Sequence, residues 1–431
     1  MRRLHSPASS RSPWLWVPTL YMAKGLPYMV IMMLSLLVFK RLGMGTAAIT
    51  FHTSSLLLPW VLKPLWRPFV DLNFTRRAWI LFTELLTTLL LAGIAWSVTE
   101  KSSWPGTVLL LFWLMAFSSA THDMVIVSFF RLRISEDDQE RFVYVRRLFF
   151  RLTMTIILGV LVMVAGNLEV ITRNIRYSWS VVFYVLAGLS LLLLIYNFFA
   201  LPKAVERTPR GRNTSLAKLR RVFHSNLQTF VHKEHAASAV MFLLLYVVIE
   251  GLVAKVSILF LVDRGSIGGL GLSPQEFAYV QGTIGFLSLV GGGVAGNYAL
   301  RQYGFRRCLF PMAAALTLPK LVFVYLSFDM PESLLPISLC VIVEQAGYGF
   351  GMTSYFRYLS MVSRGHRSAA HYGMGVAVMS FSLMVTGIFS GLWVHIFGYR
   401  KFFVLMMLSS VLTFAVTYRI HADADCDGEK S

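Results

Sequence analysis

The sequence predicts an all-α polytopic membrane protein with twelve transmembrane helices in two pseudo-symmetric six-helix halves. Three observations carry that expectation. Hydrophobic residues fill 56% of the 431 positions and charged residues only 14%, which leaves a water-soluble protein too little polar surface to cover itself. The apolar residues gather into runs of the roughly 17 to 25 residues that cross a bilayer, not into the ten-residue alternation of a barrel, and only helices or closed barrels pair every backbone group in lipid. The third is an internal echo. Lys24-Gly25-Leu26 in the first run returns as Glu250-Gly251-Leu252 about 226 positions later.

Taken in order, the first six runs are Trp14 to Phe39, Ala47 to Leu65, Trp79 to Val98, Thr107 to Phe130, Val143 to Gly166 and Val181 to Leu201. The hydrophilic stretch from Pro202 to His235 follows, with eight Lys or Arg against two Glu. Six more runs come after it: Ala236 to Val262, Phe277 to Leu300, Cys308 to Leu326, Leu334 to Met361, Met374 to Phe397 and the short Phe402 to Val416. The chain thus divides into an N-terminal half (1–201), a basic cytoplasmic linker (202–235), a C-terminal half (236–418) and a cytoplasmic tail (419–431). Within the linker, Leu216, Leu219, Val222, Phe223, Leu227 and Phe230 recur at helical spacing, which predicts a linker helix over 215–232 or an amphipathic helix lying on the inner surface.

A formal charge of +19 suggests nucleic acid until the charges are located. With both termini in the cytoplasm, most of the 40 Lys and Arg residues fall in cytoplasmic segments, which is the positive-inside bias of a membrane protein. Anionic lipid headgroups are the expected partner of this charge, and nucleic acid is not expected. The basic start, Met1 to Pro13, runs into a span too long for a signal sequence and is expected to be retained. Cys308, Cys340 and Cys426 imply no disulfide framework. No phosphate-cradling loop, zinc spacing or nucleophile elbow occurs, so an enzyme is not expected.

The halves share more than the echo. Phe74-Thr75-Arg76-Arg77 closes the turn after the second run, and Gly304-Phe305-Arg306-Arg307 closes the turn after the eighth. Small residues gather at corresponding places in the fourth and tenth runs, Ala116 to Ala120 and Ala346 to Gly351, where they admit close helix packing. A chain of this plan resembles the major facilitator superfamily, whose halves rock around a midplane site. Asp71, Arg76 and Arg77 match that superfamily's cytoplasmic signature. The second copy has Leu300-Arg301 where an acid is usual, beside Arg306 and Arg307.

A narrower resemblance covers nearly the whole chain. Leu57, Pro59-Trp60 and Leu62-Lys63-Pro64-Leu65-Trp66-Arg67-Pro68 resemble the end of the second helix of AmpG-like permeases, in the shorter twelve-helix branch of that group. Ser119-Ala120-Thr121-His122-Asp123 resembles their fourth helix. Gly268-Gly269-Leu270-Gly271-Leu272, Gly282-Thr283-Ile284-Gly285, Glu344 to Gly351 and Ala369-Ala370-His371-Tyr372 extend the likeness. That resemblance implies a proton-driven importer of muropeptides or anhydro-sugars in a bacterial inner membrane, acting as a monomer and needing no cofactor beyond the proton gradient. Two positions depart from the pattern. Val127 and Ser128 stand where a second acid is usual after His122-Asp123, and Val247 stands where Arg often follows Leu-Tyr.

Charges inside spans cost at least about 2.5 to 3.5 kcal/mol each on insertion scales, so they mark a pathway or a buried partner. Lys24 and Glu250 lie near mid-depth on the leading helix of each half, as a substrate-binding cation and a proton-carrying carboxylate or as one structural ion pair. Glu344 lies at similar depth in the tenth run, with Gln345 and Tyr348 beside it. His122, Asp123 and Arg151 are expected to cluster, either to carry protons and bind an anion or to fix a hairpin. Lys255, about 140° around the helix from Glu250, needs another partner or snorkels outward. Lys63 and Arg67 are assigned to the inner rim, and Glu84 and Lys320, placed away from the cavity, to packing or to snorkelling outward. The resulting expectation is a secondary active transporter working by alternating access on a small molecule. The alternatives are a sugar or glycoside carrier of the same fold and a non-transporting receptor or scaffold.

Overall fold

The structure is a computed structural model that describes residues 12–100, 105–134, 136–203, 216–233, 235–365 and 368–427. Every regular element among them is helical. We number the helices α1 (Pro13–Arg41), α2 (Thr46–Ser55 and Leu58–Leu72, divided by a turn), α3 (Arg76–Thr99), α4 (Gly106–Arg133), α5 (136–172) and α6 (Ile175–Ala200). After the linker helix Leu216–Val231 come α7 (Ala236–Val262), α8 (274–303), α9 (305–329), α10 (Leu334–Val362), α11 (368–397) and α12 (399–427). Nine helical stretches among the described residues are long and apolar enough to cross a membrane. Two of them, Pro274–Asp329 and Ser368–Ile420, each turn at a glycine in the positive-φ region, Gly304 (φ 78°) and Gly398 (φ 74°), where other residues clash with their own backbone. The ends of α7 coincide with its apolar run. Most other helices reach past theirs, because polar residues at a rim stay helical while they face headgroups or water.

Packing differs at the two ends of the bundle. Away from the linker a single apolar core passes through both parts of the chain, taking Leu34, Phe39 and Phe112 from the first and Phe260, Phe277 and Phe403 from the second. Toward the linker the core divides into one cluster around Trp16, Leu20 and Phe129 and another around Phe242, Tyr355 and Leu359. The two parts meet through α2 against α11 and through α5 against α8. In the second contact two π-helical turns, Ile156–Leu161 and Ala278–Gly285, face each other, and a Cβ on Gly282 would lie 2.5 Å from the Gly159 nitrogen.

The end away from the linker is also tied by Asp263, which terminates α7 and is fully buried. It accepts hydrogen bonds from the Thr46 hydroxyl (3.2 Å) and the Tyr399 hydroxyl (2.5 Å) and forms an ion pair with Lys40. Its backbone carbonyl accepts from Gly271 N at 2.7 Å, so the Gly268 to Gly271 loop folds back onto the backbone of this residue. At the linker end, Arg67 donates to the Ala369 carbonyl (2.8 Å) and Arg301 to the Tyr144 hydroxyl. The linker helix docks on α2 and α11, with Phe230 buried beside the His371 ring and Thr229 3.2 Å from His371 Nε2.

Close approach of α8 to α10 makes one expectation about stability. A side chain on Gly292 would fall on the Ala346 carbonyl, a backbone atom that cannot rotate away. Gly292→Val is therefore expected to destabilise the protein by about 1 to 3 kcal/mol, the usual cost of overpacking. An unchanged thermal unfolding curve for the purified variant contradicts that contact.

Candidate functional site

Two groups of three charges occupy the interior, one in each part of the chain. In the first, Asp123 on α4 receives Lys24 from α1, with Nζ to Oδ1 at 2.5 Å, and Lys63 from α2 on its other oxygen. Lys24 also lies over the Tyr21 and Phe150 rings, 5.5 and 5.8 Å from their centroids. In the second, Lys320 on α9 donates to Glu250 Oε2 on α7 at 2.6 Å and to Glu344 Oε1 on α10 at 3.2 Å. Gln345 Nε2 donates to the other Glu344 oxygen at 2.7 Å, and Lys320 Nζ is 5.9 Å from the Tyr348 ring centroid.

Local chain chemistry places these side chains. Pro319 has no N–H to continue the helical ladder, so α9 tightens into a 3₁₀ turn at Leu318–Lys320, which carries Lys320 inward. Gly347 makes room for that turn, since a Cβ there would lie 2.6 Å from Pro319 Cγ. The assignment of Lys320 to packing away from the site is thus corrected: it is the shared counter-ion of Glu250 and Glu344. Lys63 is corrected likewise. Helix α2 continues to Leu72, past the end of its apolar run at Leu65, so Lys63 lies a turn or more deeper than a rim residue and reaches Asp123.

Lys24 and Glu250 do not pair with each other, because each has a partner within its own part of the chain. The expected cluster of His122, Asp123 and Arg151 does not form either. Adjacent residues on a helix point about 100° apart, so while Asp123 faces α1 and α2, His122 faces α3. There its Nδ1 is 2.7 Å from the Thr83 hydroxyl, and its Nε2 is 3.9 Å from Glu84 Oε1. Glu84 accepts from Asn197 Nδ2 at 2.8 Å, and Asn197 Oδ1 accepts from Thr19 at 2.9 Å, so these groups tie α1, α3, α4 and α6. Arg151 reaches the opposite way, donating to the Leu289 carbonyl of α8 at 3.4 Å.

Aromatic hydroxyls lie within electrostatic reach of each triad. Tyr28 packs edge-on against Trp60, with centroids 5.7 Å apart, within electrostatic reach of Lys24 and Asp123. Tyr348 is within reach of Tyr28, Arg151, Glu250 and Glu344. Lys255 is buried on α7, and its ammonium makes no hydrogen bond among the described residues. Of the predicted cytoplasmic motif, Arg77 donates to the Phe198 carbonyl at 2.5 Å and lies over the Phe198 ring. Arg76 starts α3, Arg306 and Arg307 are exposed at the start of α9, and the Asp71 side chain lies outside the described atoms. Sequence reasoning missed Asp263 altogether; the glycines that follow it were its only signal.

Apolar helices that hold charged groups of both signs inside the bundle suit a membrane transporter. Residues 19–374 match the family model described as Major Facilitator Superfamily, and the chain belongs to that family. It is similar to the "Putative transporter AmpG 3" of Rickettsia prowazekii (strain Madrid E), 21% identical over 387 residues, which cover 84% of this chain and 85% of the relative. Among solved structures it is similar to the nucleoside transporter NupG, with a TM-score of 0.67 and 16% identity over 94% of this chain and 98% of the other. A POT family transporter in complex with 5-aminolevulinic acid gives a TM-score of 0.72 and 9% identity over 93% and 94%.

Proposed function

We propose that the chain is a proton-coupled importer of a cell-wall-derived muropeptide or anhydro-sugar, working by alternating access. The observation that carries this reading is the pair of oppositely charged triads set inside the bundle, Lys24, Asp123 and Lys63 in one part and Glu250, Lys320 and Glu344 in the other. The breaks at Gly304 and Gly398, counted with α2, support a reading of twelve spans in two six-helix halves, residues 1–201 and 236–418. The continuous core away from the linker and the divided core toward it suit a carrier closed on one side. In this reading the linker faces the cytoplasm, both termini are cytoplasmic, and the protein acts as a monomer in the bacterial inner membrane. Its basic rim meets anionic headgroups. Resemblance to AmpG-like permeases supports the substrate and the proton, and no cofactor takes part.

The mechanism follows from charge. Substrate binds between Lys24 and the Glu250 and Glu344 pair, the halves rock, and the proton that enters with the substrate leaves on the linker side. Glu250→Gln and Lys24→Met suit the test because each leaves a balanced ion pair behind, Lys320 with Glu344 or Lys63 with Asp123. In liposomes with an imposed pH gradient, both variants are expected to drop uptake of an anhydro-muropeptide to background while the purified proteins still unfold cooperatively on heating. Wild-type rates in both sink the assignment. Tyr28 against Trp60 beside Lys24 also offers a surface on which a sugar ring stacks. Stabilisation by plain sugars alone would favour the sugar or glycoside carrier.

A further inference from the structure

Neither triad is neutral by itself. One carboxylate between Lys24 and Lys63 leaves one positive charge uncompensated, and one ammonium between Glu250 and Glu344 leaves one negative charge uncompensated. An excess charge in a low-dielectric interior is costly and draws a counter-charge. Here the two excesses are opposite in sign and sit in different parts of the chain; Tyr28 is within electrostatic reach of Lys24 and Asp123, and Tyr348 is within reach of Glu250, Glu344, Arg151 and Tyr28. The arrangement is not a latch of direct ion pairs between the parts, because every cation in it is held by a carboxylate of its own part. It presents a positive end and a negative end to whatever lies between.

We propose that the carried molecule is a zwitterion, its anionic group received by Lys24 and Lys63 and its ammonium group by Glu250 and Glu344. This rests on the transporter reading and narrows it, because a neutral sugar leaves both excess charges uncompensated and a simple acid or amine compensates only one. Bound in this orientation, a zwitterion brings both triads to neutrality at once and joins the two parts through the ligand. Binding then favours the state in which the parts approach, which is the differential interaction a ligand needs to shift a conformational equilibrium. Asp123 and Lys320 act as positioning residues, holding each like-charged pair together without themselves meeting the ligand.

The test is thermal unfolding of the purified full chain titrated with four probes. They are an N-acetylmuramyl tripeptide ending in lysine, the same compound acetylated on the lysine ammonium, the same compound amidated at its carboxylates, and N,N′-diacetylchitobiose, which carries neither charge. The zwitterion is expected to half-saturate at a concentration at least about tenfold lower than either blocked form, in keeping with charge-assisted hydrogen bonds. In Lys63→Met the preference for the free carboxylate is expected to vanish while the preference for the free ammonium stays; in Glu344→Gln the reverse. Each variant keeps one balanced pair, Lys24 with Asp123 or Lys320 with Glu250, and so remains measurable. Equal binding of free and blocked forms, no shift with the zwitterion, or loss of both preferences together in one variant overturns the proposal. Uptake of N,N′-diacetylchitobiose into proteoliposomes at the rate of the tripeptide also overturns it while leaving the transporter standing. Absence of uptake for all four probes, with the binding preferences intact, instead removes the transporter.

Discussion

Asp123→Asn should destabilise the protein more than the loss of either lysine that Asp123 holds. The substitution keeps the shape of the side chain and removes the carboxylate that both Lys24 and Lys63 pair with, so two ammonium groups are left facing each other. Removing one partner of a buried ion pair costs about 3 to 5 kcal/mol. The three side chains are 11 to 21% exposed, so water screens them partly and the lower part of that range applies. A double variant separates this repulsion from a general loss of packing. Asp123→Asn combined with Lys63→Met leaves a single cation, the same net charge as the native triad. The double variant is therefore expected to melt above Asp123→Asn alone, a non-additivity that only interacting residues produce. A double variant that melts at or below the single one would show that the lysines do not repel each other, and the triad would lose its meaning.

How much of this was legible in the sequence depended on whether a feature was local. The spans were legible because an apolar run is local, and α7 was read to its ends. Lys24, Glu250 and Glu344 were legible for the same reason: a charge inside such a run stands out against lipid whatever surrounds it. Their partners were not. Lys320 reaches the site through a 3₁₀ turn set by Pro319 and admitted by Gly347 on another helix, a relation no periodicity records. Lys63 is not placed by its run, because the apolar residues stop at Leu65 while the helix continues to Leu72. His122 and Asp123 were read together as neighbours in sequence, although a helix turns neighbours to different faces, and Arg151 followed α5 to its contact with α8. The echo of Lys24-Gly25-Leu26 and Glu250-Gly251-Leu252 located both triads while suggesting the wrong pairing, since matched positions in a repeat need not touch.

Lys320→Met should have the largest effect of any single substitution in the interior. Lys320 is 1% exposed, the most buried of the charges in either triad, and it is the only cation that the two carboxylates share. Without it Glu250 and Glu344 stand together, with Gln345 still donating to Glu344, so about 3 to 5 kcal/mol is lost, at the upper part of that range because little water reaches the site. The contrast with Glu250→Gln carries the argument. That variant also breaks the Glu250 ion pair, yet it leaves Lys320 with Glu344 as a neutral pair and relieves the excess negative charge, so its unfolding temperature should stay close to wild type. If the contacts mattered only as hydrogen bonds, Lys320→Met would merely add the loss of the Glu344 bond to that of the Glu250 bond; if charge balance matters, the two variants should differ far more. Adding Glu250→Gln to Lys320→Met removes one of the two repelling carboxylates and should recover part of the stability, although the Lys320 contacts are still missing. Unfolding temperatures measured on the same preparation should therefore fall in the order Glu250→Gln, double variant, Lys320→Met. A double variant less stable than Lys320→Met would mean that repulsion between the carboxylates is not what Lys320 offsets.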